Sequence, residues 1–276
     1  MSGVERISEA FASARADGRR AALMPYLMGG FPDLNTSFEI ARACVDAGGS
    51  LLELGIPFSD PLADGPVIQA AGTTALNAGV TLEDVLGLAG RLSHDGVPVV
   101  IMCYENQILA PGVERFADML QAAGVSGLIV PDLPLEEADA TVAACDERDV
   151  ALVPLVAPTT PDERLKQIAS RARGFLYVVS LTGTTGERST LATVLPGLLS
   201  RAKAHAAVPV AVGFGIGTPE QARAAADAGA DGVIVGSRLV RAAEEAMDPP
   251  AEVGALVREF SAALAFGAAA AESTSQ

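Results

Sequence analysis

VPVAVGFGIGTPEQARAAADAGADGVIVGS, residues 208–237, holds a complete strand–helix–strand unit. Its first run, 208–212, is apolar and β-branched, and so is its last, 232–236. Between them Thr218 precedes Pro219 and Glu220. That is an N-cap hydroxyl, a proline at the first helical position and an acid in the first turn. Ala228-Gly229-Ala230 puts glycine where a helix must stop before the next strand. Strands joined through a helix run parallel, and strands without polar alternation are buried on both faces.

Outward from this unit the same alternation fills the chain. Strand candidates are 21–28, 50–56, 97–103, 126–131, 150–156, 174–180, 208–212 and 232–236. Helix-like stretches lie near 36–47, 82–94, 112–123, 135–147, 161–171, 191–205 and 218–229. Eight such strands in about 250 residues predict an α/β fold of the (β/α)8, or TIM-barrel, kind. An open doubly wound sheet is the other candidate, but it more often opens with a glycine-rich turn after its first strand. Met28-Gly29-Gly30-Phe31-Pro32 is not that fingerprint. No linker divides the chain, so 1–276 is expected to be one barrel domain, with an extra N-terminal helix within 1–17 and a frayed tail over 268–276.

Composition removes several functions. Nineteen basic against thirty-four acidic side chains give a net charge of −15, which disfavours nucleic acid and anionic lipid as partners. A phosphorylated ligand would then be held by backbone N–H groups and helix N-termini. Cys44, Cys103 and Cys145 are too widely spaced for a metal pair, and the two histidines, His94 and His205, add no zinc set. Lys166 and Lys203, the only lysines, sit in helical patterns rather than at strand ends, so Schiff-base chemistry has no candidate. The weakly polar run 260–271 is shorter than the 18–20 or so residues a bilayer needs. With no basic, apolar leader at the start, a cytoplasmic location is expected.

In such a barrel the chemistry sits at the C-terminal ends of the strands. Glu53 stands in Leu52-Glu53-Leu54-Gly55-Ile56. It reads either as a structurally hydrogen-bonded carboxylate or as a general acid/base with its pKa raised by apolar surroundings. The following loop, 57–66, carries three prolines, Asp60, Asp64 and Phe58. Either its aspartates only form turns, or the loop is a rigid functional one whose Phe58 hints at a contact surface. After the sixth strand, 177–186 is rich in glycine and threonine and suits a closing loop, or a plain flexible one. Gly213-Phe214-Gly215-Ile216-Gly217 and Gly236-Ser237 end strands seven and eight, where barrels hold phosphate.

These residues carry a resemblance. LELGIPFSDPLADGP (52–66) resembles the signature segment of the tryptophan synthase alpha subunit family. SLTGTTG (180–186), GFGIGTPEQ (213–221) and DGVIVGS (231–237) are similar to its remaining motifs, in the same order, and the likeness runs from about residue 6 to 265. The resemblance implies a barrel that cleaves indole-3-glycerol phosphate to indole and glyceraldehyde 3-phosphate, without metal or cofactor of its own. It also implies a pyridoxal-phosphate beta subunit as partner, in an alpha2beta2 complex, which joins the indole to serine to give L-tryptophan. On the same ground Glu53 matches the catalytic glutamate, Asp64 the aspartate at the indole N–H, and Tyr177 a tyrosine near the glutamate. Gly186, Gly215, Gly236 and Ser237 match the phosphate cradle. Tyr26, Ile129, Leu155, Thr185 and Phe214 fall where the family lines the indole pocket, and Pro57, Phe58 and Asp60 where it meets its partner. Tyr26 stands at a place often held by Phe, and Tyr104-Glu105-Asn106-Gln107 where Tyr-x-Asn-Pro is common. A standalone indole-releasing lyase and a non-catalytic activator of a beta subunit are the other readings. A different phosphate-binding barrel would leave the Pro-rich loop without an account.

Overall fold

The computed structural model describes residues 1–179, 188–213 and 215–266, and of 188–194 the backbone alone. Nine strand segments follow in chain order: β1 (Ala22–Met28), β2 (Leu52–Gly55), β3 (Val99–Met102), β4 (Gly127–Ile129) and β5 (Ala151–Val153), then β6 (Leu155–Val156), β7 (Leu176–Val179), β8 (Val210–Gly213) and β9 (Gly232–Val235). All pair in parallel, in the order β5-β4-β3-β2-β1-β9-β8-β7-β6. The two ends of that order are halves of one chain run. β5 ladders to β4 and β6 to β7, on either side of Pro154, whose ring nitrogen has no N–H to give. The Pro154 carbonyl still accepts from the Tyr177 N–H at 3.0 Å. Thus the predicted strand 150–156 serves both neighbours, and the sheet comes round as a TIM barrel.

The predicted helices are present with ends shifted by a few residues, from Leu34–Asp46 to Pro219–Asp227. Among the further helices of the described residues, Pro66–Asn77, Glu105–Leu109 and Pro249–Leu264 were not anticipated, and Ser237–Glu245 starts from the expected Gly236-Ser237 turn. Pro66 opens its helix, with Gly65 as N-cap, because its fixed φ suits the first helical position. Pro249 does the same, and the Asp248 side chain accepts from the Ala251 N–H. Val253, Leu256, Val257, Phe260 and Leu264 then form one buried stripe at helical spacing. Among the described residues no helix is long and apolar enough to cross a membrane.

The helix Gly3–Ala16 closes the N-terminal mouth. Ser2 and Glu5 cap it reciprocally, and Arg6 ties it to Ser126 Oγ and the Gly124 carbonyl at 3.1 and 2.6 Å. It lies close because glycines stand under it: a Cβ on Gly127 or Gly174 would come within 3.1 and 3.0 Å of the Ile7 side chain. Residues 180–187, Phe214 and the tail 267–276 lie outside the described residues, so the expectations for Thr185, Gly186, Phe214 and 268–276 fall there too.

Candidate active site

Glu53 is placed by β2. Its strand neighbours Leu52 and Leu54 are fully buried, and Glu53 itself is 1% exposed. Among the described residues it is the one carboxylate so buried, and its Oε2 has no hydrogen-bond partner. An unpaired buried charge is costly, so the group shifts toward its neutral form. Burial, helped by the Asp64 carboxyl, pushes its pKa up to about 8. A carboxyl that holds its proton near neutrality can give it up and take it back.

Asp64 comes from the loop between β2 and the helix Pro66–Asn77. Its backbone carbonyl accepts from Gln69 Nε2 at 2.9 Å, which folds the loop's end onto that helix. Burial raises its pKa to about 6, while the nearby Tyr104 hydroxyl works against the rise. Asp64 is therefore a carboxylate at neutral pH beside a glutamic acid that is not. Two carboxyls held apart in this way can divide the roles of electrostatic partner and proton carrier.

Glu53 and Asp64 line one cavity of about 420 Å³. Tyr26, Tyr177, Gly215, Gly236 and Ser237, all expected at the site, line it too. Met102, Ile68, Ile216 and Ile234 supply apolar wall. Gly236 and Ser237 open the helix Ser237–Glu245, which has no acid in its first turn. The first amides of a helix have no upstream acceptor within it, so this end suits an anion. Gly215 holds φ at +78°, a left-handed turn that brings backbone to the cavity. Among the described residues no group of three His, Cys, Asp or Glu is gathered for a metal.

Two expected pocket residues lie off the described wall. Ile129 is fully buried on β4 and registered with Met102, and it is Met102 that reaches the cavity. Leu155, opposite Tyr177 in the β6–β7 ladder, borders a separate cavity of about 170 Å³ near the helices Asp139–Glu147 and Asp162–Ser170. Pro57, expected with Phe58 and Asp60 at a partner surface, is buried within this chain, whereas Asp60 is exposed and Phe58 half-buried. Pro57 shapes the loop rather than its surface.

The wall residues Met102, Ile68, Ile216 and Ile234 were missed from sequence, and so was one residue behind Asp64. Tyr104, at the exit of β3, is 2% exposed and its hydroxyl oxygen accepts the Ala63 N–H at 3.1 Å, beside Asp64. Its ring stacks on Phe58 with centroids 5.1 Å apart. Gln107 accepts the Tyr104 N–H at 3.1 Å and donates to the Pro57 carbonyl at 3.0 Å. A proline at 107 could make neither bond. The available signal was an aromatic residue at a strand's C-terminal end.

The sequence profile of the tryptophan synthase alpha chain family matches residues 11–268. The chain belongs to that family. Membership makes it a lyase of indole-3-glycerol phosphate and implies a beta-subunit partner. The tryptophan synthase alpha chain of Prochlorococcus marinus strain MIT 9313 is 50% identical over 239 residues, 85% of this chain and 86% of the relative. That of Gloeobacter violaceus is 49% identical, covering 86% of each. Among solved structures, Mycobacterium tuberculosis tryptophan synthase superposes with a TM-score of 0.87 at 41% identity, covering 95% of this chain and 99% of the other. The alpha chain from Legionella pneumophila gives 0.84 at 36%, covering 96% and 97%.

Proposed function

We propose that Glu53 carries the proton through the cleavage of indole-3-glycerol phosphate and that Asp64 holds the indole. Protonated Glu53 gives its proton to the ring carbon that bears the glycerol chain. Positive charge then develops on the ring nitrogen, and the Asp64 carboxylate accepts the N–H hydrogen bond and steadies that charge. Glu53, now a carboxylate, takes the proton of the side-chain hydroxyl next to the ring. The carbon–carbon bond breaks, its electrons return to the ring, and the hydroxyl carbon leaves as the aldehyde. Glu53 ends protonated, as it began. The ring itself serves as electron sink, so the step calls for neither a lysine nor a metal.

The observation that carries this reading is Glu53 Oε2, buried and unpaired on a cavity that it shares with Asp64. Amides at Gly215, Gly236 and Ser237 hold the phosphate in this account, together with Gly186 from beyond the described residues. Tyr177 lies beside Glu53, and burial first, then Glu53 and Asp64, raises its pKa well above the ordinary phenol value, so it stays a neutral donor. The chain carries no cofactor in this reading. Pyridoxal phosphate sits in the beta subunit of a cytoplasmic alpha2beta2 complex, which meets the Phe58–Asp60 surface. The test is to follow indole released from indole-3-glycerol phosphate. Glu53→Gln should lower kcat by about 100-fold or more with KM little changed, since it removes a proton carrier and leaves the phosphate contacts. Near-parental turnover would refute the assignment.

A further inference from the structure

The Tyr26 hydroxyl is buried, and among the described residues nothing hydrogen-bonds to it. A buried hydroxyl left unpaired is destabilising, so its presence asks for a partner that arrives with a ligand. Tyr26 is registered directly with Glu53 across the β1–β2 ladder, and both side chains line the same cavity. Neighbouring strands stand about 4.8 Å apart, which puts the two side chains within reach of one small group. The backbone makes room for this oxygen: a Cβ on Gly55 would sit 2.2 Å from it. Phenylalanine would fill the same apolar volume without leaving a polar atom unpaired, so packing of the ring does not account for the oxygen.

We propose that the Tyr26 hydroxyl hydrogen-bonds the substrate oxygen that becomes the aldehyde, the same hydroxyl whose proton Glu53 removes. The inference rests on the lyase reading above. As that proton leaves for Glu53 and the carbon–carbon bond breaks, negative charge gathers on the oxygen until its carbonyl forms. The Tyr26 O–H donates to it throughout and transfers no proton. Burial, with Asp64 and Glu53 nearby, keeps the phenol protonated and so a donor. A preset donor aimed where charge develops favours the transition state over the bound substrate.

Tyr26→Phe in the full chain, assayed with its beta subunit, tests this. The expected result is a fall in kcat of about 10- to 100-fold with KM changed less than about threefold. Affinity for an indole-propyl phosphate that lacks both side-chain hydroxyls should be the parental one. Turnover within about twofold of the parent would overturn the inference. So would an equal loss of affinity for the deoxy analogue, which would make the residue a packing element. A parent enzyme that releases no indole would overturn the lyase reading and this inference with it, whereas an active parent with an equally active variant overturns the inference alone.

Discussion

At the scale of the residue, the proposed mechanism turns on the difference between two carboxyls. Burial and Asp64 lift Glu53 to about 8, and burial lifts Asp64 to about 6. The proposed mechanism needs Glu53 protonated and Asp64 ionised, so kcat/KM should rise as pH passes about 6 and fall as it passes about 8. The two groups interact, so the limbs belong to the pair, and Asp64→Asn should flatten the lower one in its residual activity. Stability carries the same signature. Glu53 keeps a proton in the folded state that it loses when unfolded near its ordinary 4.5. Its contribution is therefore full below that pH and lost as pH rises through about 8. Thermal melts should show Glu53→Gln more stable than the parent above pH 8 or so and little different in acid, and parallel curves would contradict this.

At the scale of the element, the loop that carries Asp64 is held from the side by the chain leaving β3. Phe58 stacks on Tyr104, Ala63 donates to the Tyr104 hydroxyl, and Gln107 donates to the Pro57 carbonyl. The helix Glu105–Leu109 is thus a bracket that fixes where Asp64 stands. Gln107→Ala removes two hydrogen bonds of about 1 kcal/mol each from that bracket, to the Tyr104 N–H and the Pro57 carbonyl, so kcat/KM should fall about fivefold or more while the far-ultraviolet circular dichroism stays unchanged. An unaltered kcat/KM would show that the loop is held without it. The strands of the barrel were legible one by one because each is a short apolar run between turn signals. The helix Pro66–Asn77 was not, because its opening proline falls in a run of prolines that reads as loop. Pro249–Leu264 was missed although its buried stripe keeps the 3.6-residue period from Val253 onward.

At the scale of the whole molecule, the two mouths of the barrel have separate duties. The N-terminal mouth is covered by Gly3–Ala16, and the C-terminal one carries the cavity and, beside it, the loop with Phe58 and Asp60. A partner that covers this loop would shield the site and settle Asp64 at once. Mixing the chain with its beta subunit should shift its elution on gel filtration to the mass of an alpha2beta2 complex and raise indole release severalfold. Asp60→Lys should weaken that shift while leaving the thermal melt of the isolated chain in place. Unchanged elution and rate on mixing would favour the standalone lyase.

By itself the sequence determined the alternation of strands and helices, the carboxylates at 53 and 64, and the glycines at 215 and 236, because periodicity, caps and turn chemistry act over a few neighbouring residues. Only the tertiary structure decided which side chains share a cavity: Tyr26 opposite Glu53, Met102 rather than Ile129 at the wall, Tyr104 and Gln107 behind the loop, Pro57 turned inward. These contacts join residues tens of positions apart through strand register and barrel closure. The raised pKa of Glu53 belongs with them, since it is the desolvation of one oxygen by walls drawn from several strands.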